Sequence, residues 1–266
     1  MDGWTSSAFA TEFGTIHLRR AGTGRPVVLL HGLAGDGATW GPVARQLADV
    51  AAVLAPDARG HGHSLAPGHG HHYADHAHDL EALIRGLGLD SPVLVGHSMG
   101  GVTAALVAGR GRVSLSGVVL VDPTFLSSTR QAEVRGSDVA AQHAASLRLT
   151  DSEGIADARA RHPRRTREVV ELLWRARRAT QRAAFDVLVP PAPDYRELVG
   201  ALRVPTLLVV GDTEPVVEPR VLDEICGIRP EMRVERVADA GHGVGFDQPD
   251  RLATLVRAFL AALDEP

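Results

Sequence analysis

The sequence predicts an α/β protein with a parallel sheet covered by helices on both faces. Three observations predict it. Short apolar runs at 27–30, 51–55, 92–95 and 117–121 alternate with helical patterns, as in buried parallel strands joined by crossover helices. Each run ends in a loop rich in glycine or aspartate, and in such sheets a ligand site lies beyond the carboxyl ends of the strands. The chain has 266 residues, 44% hydrophobic and 23% charged, which suits one large domain or a domain with an insertion.

Taken in order, residues 8–20 alternate weakly around Gly14 and read as a hairpin of edge strands. The strand at 27–30 runs into the glycine-rich loop 31–37. Trp40 and Pro42 open a helix reaching about Asp49. The strand at 51–55 leads into Pro56-Asp57-Ala58-Arg59-Gly60-His61-Gly62-His63-Ser64. Residues 74–87 form a helix with Leu80, Leu83, Ile84 and Leu87 on one face. The strand at 117–121 ends in Asp122-Pro123. From 124 to 202 strand signals vanish and helical patterns rich in Ala, Arg and Glu take over, a helical insertion. Strands return at 204–210 and 233–237, and a final helix runs from 249 to 263.

The centre of this pattern is Gly96-His97-Ser98-Met99-Gly100-Gly101, between an apolar strand and a small-residue helix. That context makes Ser98 a nucleophile on a sharp, strained strand-to-helix turn, where Gly96 and Gly100 avoid collisions. A serine hydroxyl needs a base to take its proton and an acid to orient the base. The base is His242, in the glycine-rich loop 239–245 after the last strand. For the acid, Glu214 after the penultimate strand stands first, Asp122 second and Asp212 third. All three precede His242 and follow Ser98, so chain order leaves the choice open. Backbone N–H groups of Leu33 and Met99 are the expected oxyanion donors.

These pieces resemble the α/β-hydrolase-fold superfamily over nearly the whole chain. The resemblance rests on His31-Gly32, Asp57-x-Arg59-Gly60-His61-Gly62-x-Ser64, Gly96-His97-Ser98-Met99-Gly100-Gly101, Gly211-x-x-Glu214 and Gly241-His242. It implies an eight-stranded, mostly parallel sheet with a helical cap inserted after the sixth strand. The core then covers 1–123 and 203–266, and the cap 124–202. Relatives usually carry aspartate where Glu214 stands; some place the acid after the sixth strand, where Asp122 is. A serine nucleophile argues against the epoxide-hydrolase and haloalkane-dehalogenase branches, whose relatives use aspartate there.

The expected function is a cofactor-free serine hydrolase cleaving a carboxylic ester or lactone of a small, largely apolar substrate. Leu33, Met99, Phe125, Trp174 and Phe185 are expected to line its pocket. Competing readings are a C–C bond hydrolase or cofactor-free haloperoxidase with the same triad, and a ligand-sensing receptor on the same fold. A net charge of −4 gives no sign of a nucleic-acid or membrane partner. The single cysteine, Cys226, and the absence of a signal-like start point to the cytoplasm. A small-molecule substrate and a monomer or homodimer are expected. Seven of thirteen histidines fall between 61 and 78, and they read as a solvated loop with no metal frame, apart from His61, which with Arg59 reads as a structural part of the turn motif. The arginines between 161 and 182 read as the polar face of a helix whose apolar face is Val169, Leu172, Leu173 and Ala176, with an anionic-substrate site as the alternative.

Overall fold

The structure is a computed structural model that describes residues 3–12, 14–66 and 68–264. Its described strands form one eight-stranded sheet. They are β1 (Thr5–Thr11), β2 (Gly14–Ala21), β3 (Pro26–Leu30), β4 (Ala52–Pro56), β5 (Val93–His97), β6 (Gly117–Val121), β7 (Thr206–Gly211) and β8 (Arg233–Val237). The spatial order is β1-β2-β4-β3-β5-β6-β7-β8. Strands β1, β2 and β4 pair antiparallel; the remaining pairs are parallel.

Strand alternation divides the core into two layers. Val28, Leu30, Leu94, Val118, Leu120 and Leu208 face one layer. Val27, Leu29, Val93, Val95, Val119 and Val121 face the other. Helices α1 (Gly41–Ala44) and, later, α11 (Pro249–Ala262) cover the second layer. Helices α2 (Tyr73–Gly86), α3 (Met99–Arg110), α8 (Tyr195–Ala201) and α9 (Pro219–Ile228) cover the first. With apolar residues on both faces, the central strands read as unbroken Val/Leu runs, which is why they were visible in the sequence.

The helix expected from Trp40 to Asp49 is shorter. A 3₁₀ turn (Gly37–Trp40), capped by Asp36, precedes the four-residue α1. Beyond it, Gln46, Leu47 and Val50 donate to carbonyls only three residues back, which tightens the chain out of the α-helix. Between β6 and β7 the chain forms α4 (Ser128–Gly136), α5 (Val139–Ser146), α6 (Asp151–Arg161), α7 (Arg167–Arg178), a 3₁₀ turn (Arg182–Leu188) and α8. Leu198, Val199 and Leu202 of this stretch pack into the sheet layer, so its last helix belongs with the core rather than above it. The short α10 (Val244–Asp247) follows the final strand.

The histidine-rich region is not a solvated loop throughout. His71 and His76 are buried, as is His61, the one expected to be structural. The segment folds around the fully buried Asp57 carboxylate, which accepts from His17 Nδ1 (2.9 Å), Arg19 Nη1 (2.6 Å), Gly37 N (2.7 Å) and His63 N (2.9 Å). Among the described residues no group of three His, Cys, Asp or Glu side chains gathers as a metal would require. No described helix is long and apolar enough to cross a membrane.

Candidate active site

Ser98 joins β5 to α3 with φ 54° and ψ −118°, a conformation that L-residues seldom adopt. The turn is tight because α3 starts against the end of β3. A Cβ on Gly100 would lie 2.3 Å from the Leu30 carbonyl oxygen. Ser98 N donates to Val121 O at 3.1 Å, which fixes the turn to β6.

The imidazole of His242 meets this serine from the loop between β8 and α10. Its Nε2 lies 3.0 Å from Ser98 Oγ, and its Nδ1 lies 2.6 Å from Asp122 Oδ2. Two contacts fix the loop. Gly241 N donates to Asp247 Oδ2 at 3.0 Å, and His97 Nε2 donates to the His242 carbonyl at 2.9 Å. His97 is a dependable neutral donor. Burial above all, then the neighbouring His242, pushes its pKa down to about 3.

The sequence placed Glu214 first as the carboxylate; the structure puts Asp122 against the ring. Asp122 ends β6 with φ 37° and is fully buried. Its oxygens also accept from Val216 N (2.8 Å) and Val217 N (3.0 Å), on the turn after β7. Glu214 lies on that same turn, exposed and with φ 52°, and makes no hydrogen bond or ion pair with His242. The backbone at Glu214 is left-handed, and the amides that follow it turn toward Asp122. Asp212 is exposed and accepts from Thr213 Oγ1.

The loop 31–37 passes directly over the nucleophile. A Cβ on Gly32 would sit 3.0 Å from Ser98 Cβ. Histidines hold this loop: His31 Nε2 accepts from Ala58 N at 2.9 Å, and His61 Nε2 accepts from Ala34 N at 3.3 Å. Among the described residues neither Leu33 N nor Met99 N has an acceptor within the protein. Met99 is the first residue of α3, where N–H groups are left without intrahelical partners.

Ser98 and His242 open onto a cavity of about 660 Å³, within the usual range for small-molecule sites. Of the five residues expected in its wall, Leu33 and Trp174 are there. Met99, Phe125 and Phe185 are not. Met99 and Phe125 turn into the core layer beside the sheet. Phe125 stacks on Tyr195, with ring centroids 6.0 Å apart. Phe185 packs against His143 at 4.7 Å. Trp174 reaches the wall because Gly154 of α6 leaves room for its ring, while its Nε1 donates to Asp151 Oδ1 at 2.9 Å.

The wall is also far from apolar. Arg161, Arg164, Arg165 and Arg177 line it, side chains that the sequence pattern assigns first to the polar face of a helix and second to an anionic-substrate site. A helical wheel separates polar from apolar faces but cannot distinguish bulk water from a water-filled cavity. His97 and Phe246, beside the nucleophile, were also missed. The signal for His97 was available: it is adjacent to Ser98 at the end of a buried strand.

The sequence profile of the alpha/beta hydrolase fold family matches residues 25–249. N-formylmaleamate deformylase of Pseudomonas putida is 31% identical over 268 residues, covering 94% of this chain and 92% of the relative. The 2-(acetamidomethylene)succinate hydrolase of Mesorhizobium japonicum is 27% identical, covering 93% and 92%. Among solved structures, a thermophilic esterase from Thermogutta terrifontis with malate bound superimposes with a TM-score of 0.77 at 29% identity, covering 98% of this chain and 100% of that one.

Proposed function

The chain belongs to the α/β-hydrolase fold family, and on that premise we propose that it hydrolyses a carboxylic ester or amide through an acyl-enzyme on Ser98. The observation that carries this reading is the hydrogen-bonded chain Ser98–His242–Asp122 at the floor of a substrate-sized cavity. Ser98 Oγ attacks the acyl carbon while His242 Nε2 takes its proton. Asp122 holds Nδ1–H, fixing the tautomer and stabilising the imidazolium. The Leu33 and Met99 N–H groups receive the developing oxyanion. Collapse of the tetrahedral species expels the alcohol or amine, protonated by His242. Water, deprotonated by the same nitrogen, then attacks the acyl-enzyme. The acid leaves and Ser98 recovers its proton.

Relatives support extending the bond from esters to amides: one is named a deformylase and another acts on an acetamido compound, while a third is an esterase. We read the helices that follow β6 as the cap that shapes substrate choice. Reaction with a fluorophosphonate should label Ser98, with the adduct located by peptide mass spectrometry. Ser98→Ala should abolish labelling and lower kcat on 4-nitrophenyl acetate by about 10⁴–10⁶ while circular dichroism is retained. Near-normal turnover in that variant would refute the assignment.

A further inference from the structure

Three of the four arginines in the cavity wall already have a carboxylate. Arg161 pairs with Asp157, Arg164 Nη1 lies 2.6 Å from Asp239, and Arg165 Nε lies 2.7 Å from Asp247. Arg177 differs. Its hydrogen bond is to the hydroxyl of Ser146, at 3.5 Å, and no described carboxylate lies within ion-pair distance. It is half-buried on α7, and Ser146 of α5 lines the cavity beside it. Burial first, and then the Arg161 guanidinium, disfavour its charge, yet an arginine stays protonated at any ordinary pH. A partly desolvated cation without a counter-ion costs stability, and a fold tolerates it where a ligand supplies the missing charge.

We propose that Arg177, oriented by Ser146, is the binding site for a free carboxylate on the substrate, remote from the bond that Ser98 attacks. The inference rests on the hydrolase reading only in naming that bond. A planar guanidinium with parallel N–H donors matches a carboxylate in a two-pronged contact. The Ser146 hydroxyl donates to the His143 carbonyl at 2.7 Å and accepts from Arg177, which orients the guanidinium. A phosphate dianion suits the cavity less. One unpaired positive charge faces it, while Asp157, Glu214, Asp239 and Asp247 line the same walls. The substrate is therefore an acid: one carboxyl group free and held by Arg177, the other acyl group esterified or amidated and placed over Ser98.

The test compares 4-nitrophenyl hydrogen succinate, with a free carboxylate, and its methyl ester, in which that group is masked. The wild-type enzyme should prefer the free acid in kcat/KM by about 10–100-fold, the range for a hydrogen-bonded charged contact. Arg177→Gln should lose at least tenfold more on the free acid than on the methyl ester, through KM, and Arg177→Lys should restore part of the loss. Calorimetric titration of succinate into Ser98→Ala protein provides a readout that needs no turnover. Succinate binding should weaken about 10–100-fold when Arg177→Gln is added, and inorganic phosphate should bind more weakly than succinate. Equal losses on both esters, or succinate affinity indifferent to Arg177, overturns the inference. Tighter binding of phosphate overturns the carboxylate assignment. Undiminished turnover by Ser98→Ala would instead defeat the hydrolase reading, and the calorimetric comparison would still decide the role of Arg177.

Discussion

Of the three candidate acids between Ser98 and His242, the first two make very different contacts. Asp122 is dry, touches the ring and accepts from two amides besides; Glu214 is wet and makes no hydrogen bond or ion pair with His242. Replacing Asp122 by Asn keeps the shape but supplies the wrong hydrogen-bonding partner to the imidazole, a change worth about 10⁴ in kcat in triads of this type. Asp122→Asn should therefore fall by about 10³–10⁴ in kcat, and Glu214→Gln by less than about tenfold, in steady-state assays of the two purified variants. The serine and the histidine were legible because each sits in a local motif whose chemistry depends on neighbours in sequence. The acid was not, because its identity depends on one left-handed residue at 122 and on amides nearly a hundred residues away. The arginine wall was hidden for a related reason: which side of a helix faces a cavity is a tertiary fact.

Elements reproduce the sequence expectation where both faces of a strand are buried; between β6 and β7 the expected helices form, but how they pack on one another was not legible. The α6–α7 pair shows why. It is held by Trp174 lying across Gly154, where an added Cβ would come within 2.2 Å of the ring. No periodicity announces that contact, since a helical glycine ordinarily counts only against the helix. The ring cannot give way without moving the cavity wall it forms. Gly154→Ala should lower stability by about 1–3 kcal/mol through overpacking, measured by urea denaturation. It should also raise KM more than it lowers kcat, with a shift in tryptophan emission reporting the displaced ring.

At the scale of the whole molecule, a conspicuous cost is the number of buried histidines. His61 and His97 are both pushed down to about 3, chiefly by burial, and His31 and His76 are lowered for the same reason. Unfolded, these rings titrate near 6.5, so between that pH and about 3 the unfolded chain binds more protons than the native one. Their contribution is complete above pH 6.5 and drains away as the pH falls. For each of His61 and His97 the loss at pH 5 is of order 2 kcal/mol. Urea midpoints should drop steadily from pH 7 to pH 5, and His61→Gln should flatten that slope. A midpoint independent of pH over this interval would contradict the buried, neutral state.

The amides of Val216 and Val217 carry a last consequence. They hold the Asp122 carboxylate from a turn that contributes no reactive side chain of its own. What matters at these two positions is the peptide N–H, which nineteen of the twenty amino acids provide and proline lacks. A survey that scores tolerance by side chain would rank both sites as permissive, although the machinery leans on their main chain. The bystander strand end thus orients its neighbour's carboxylate while leaving almost no trace in residue identity.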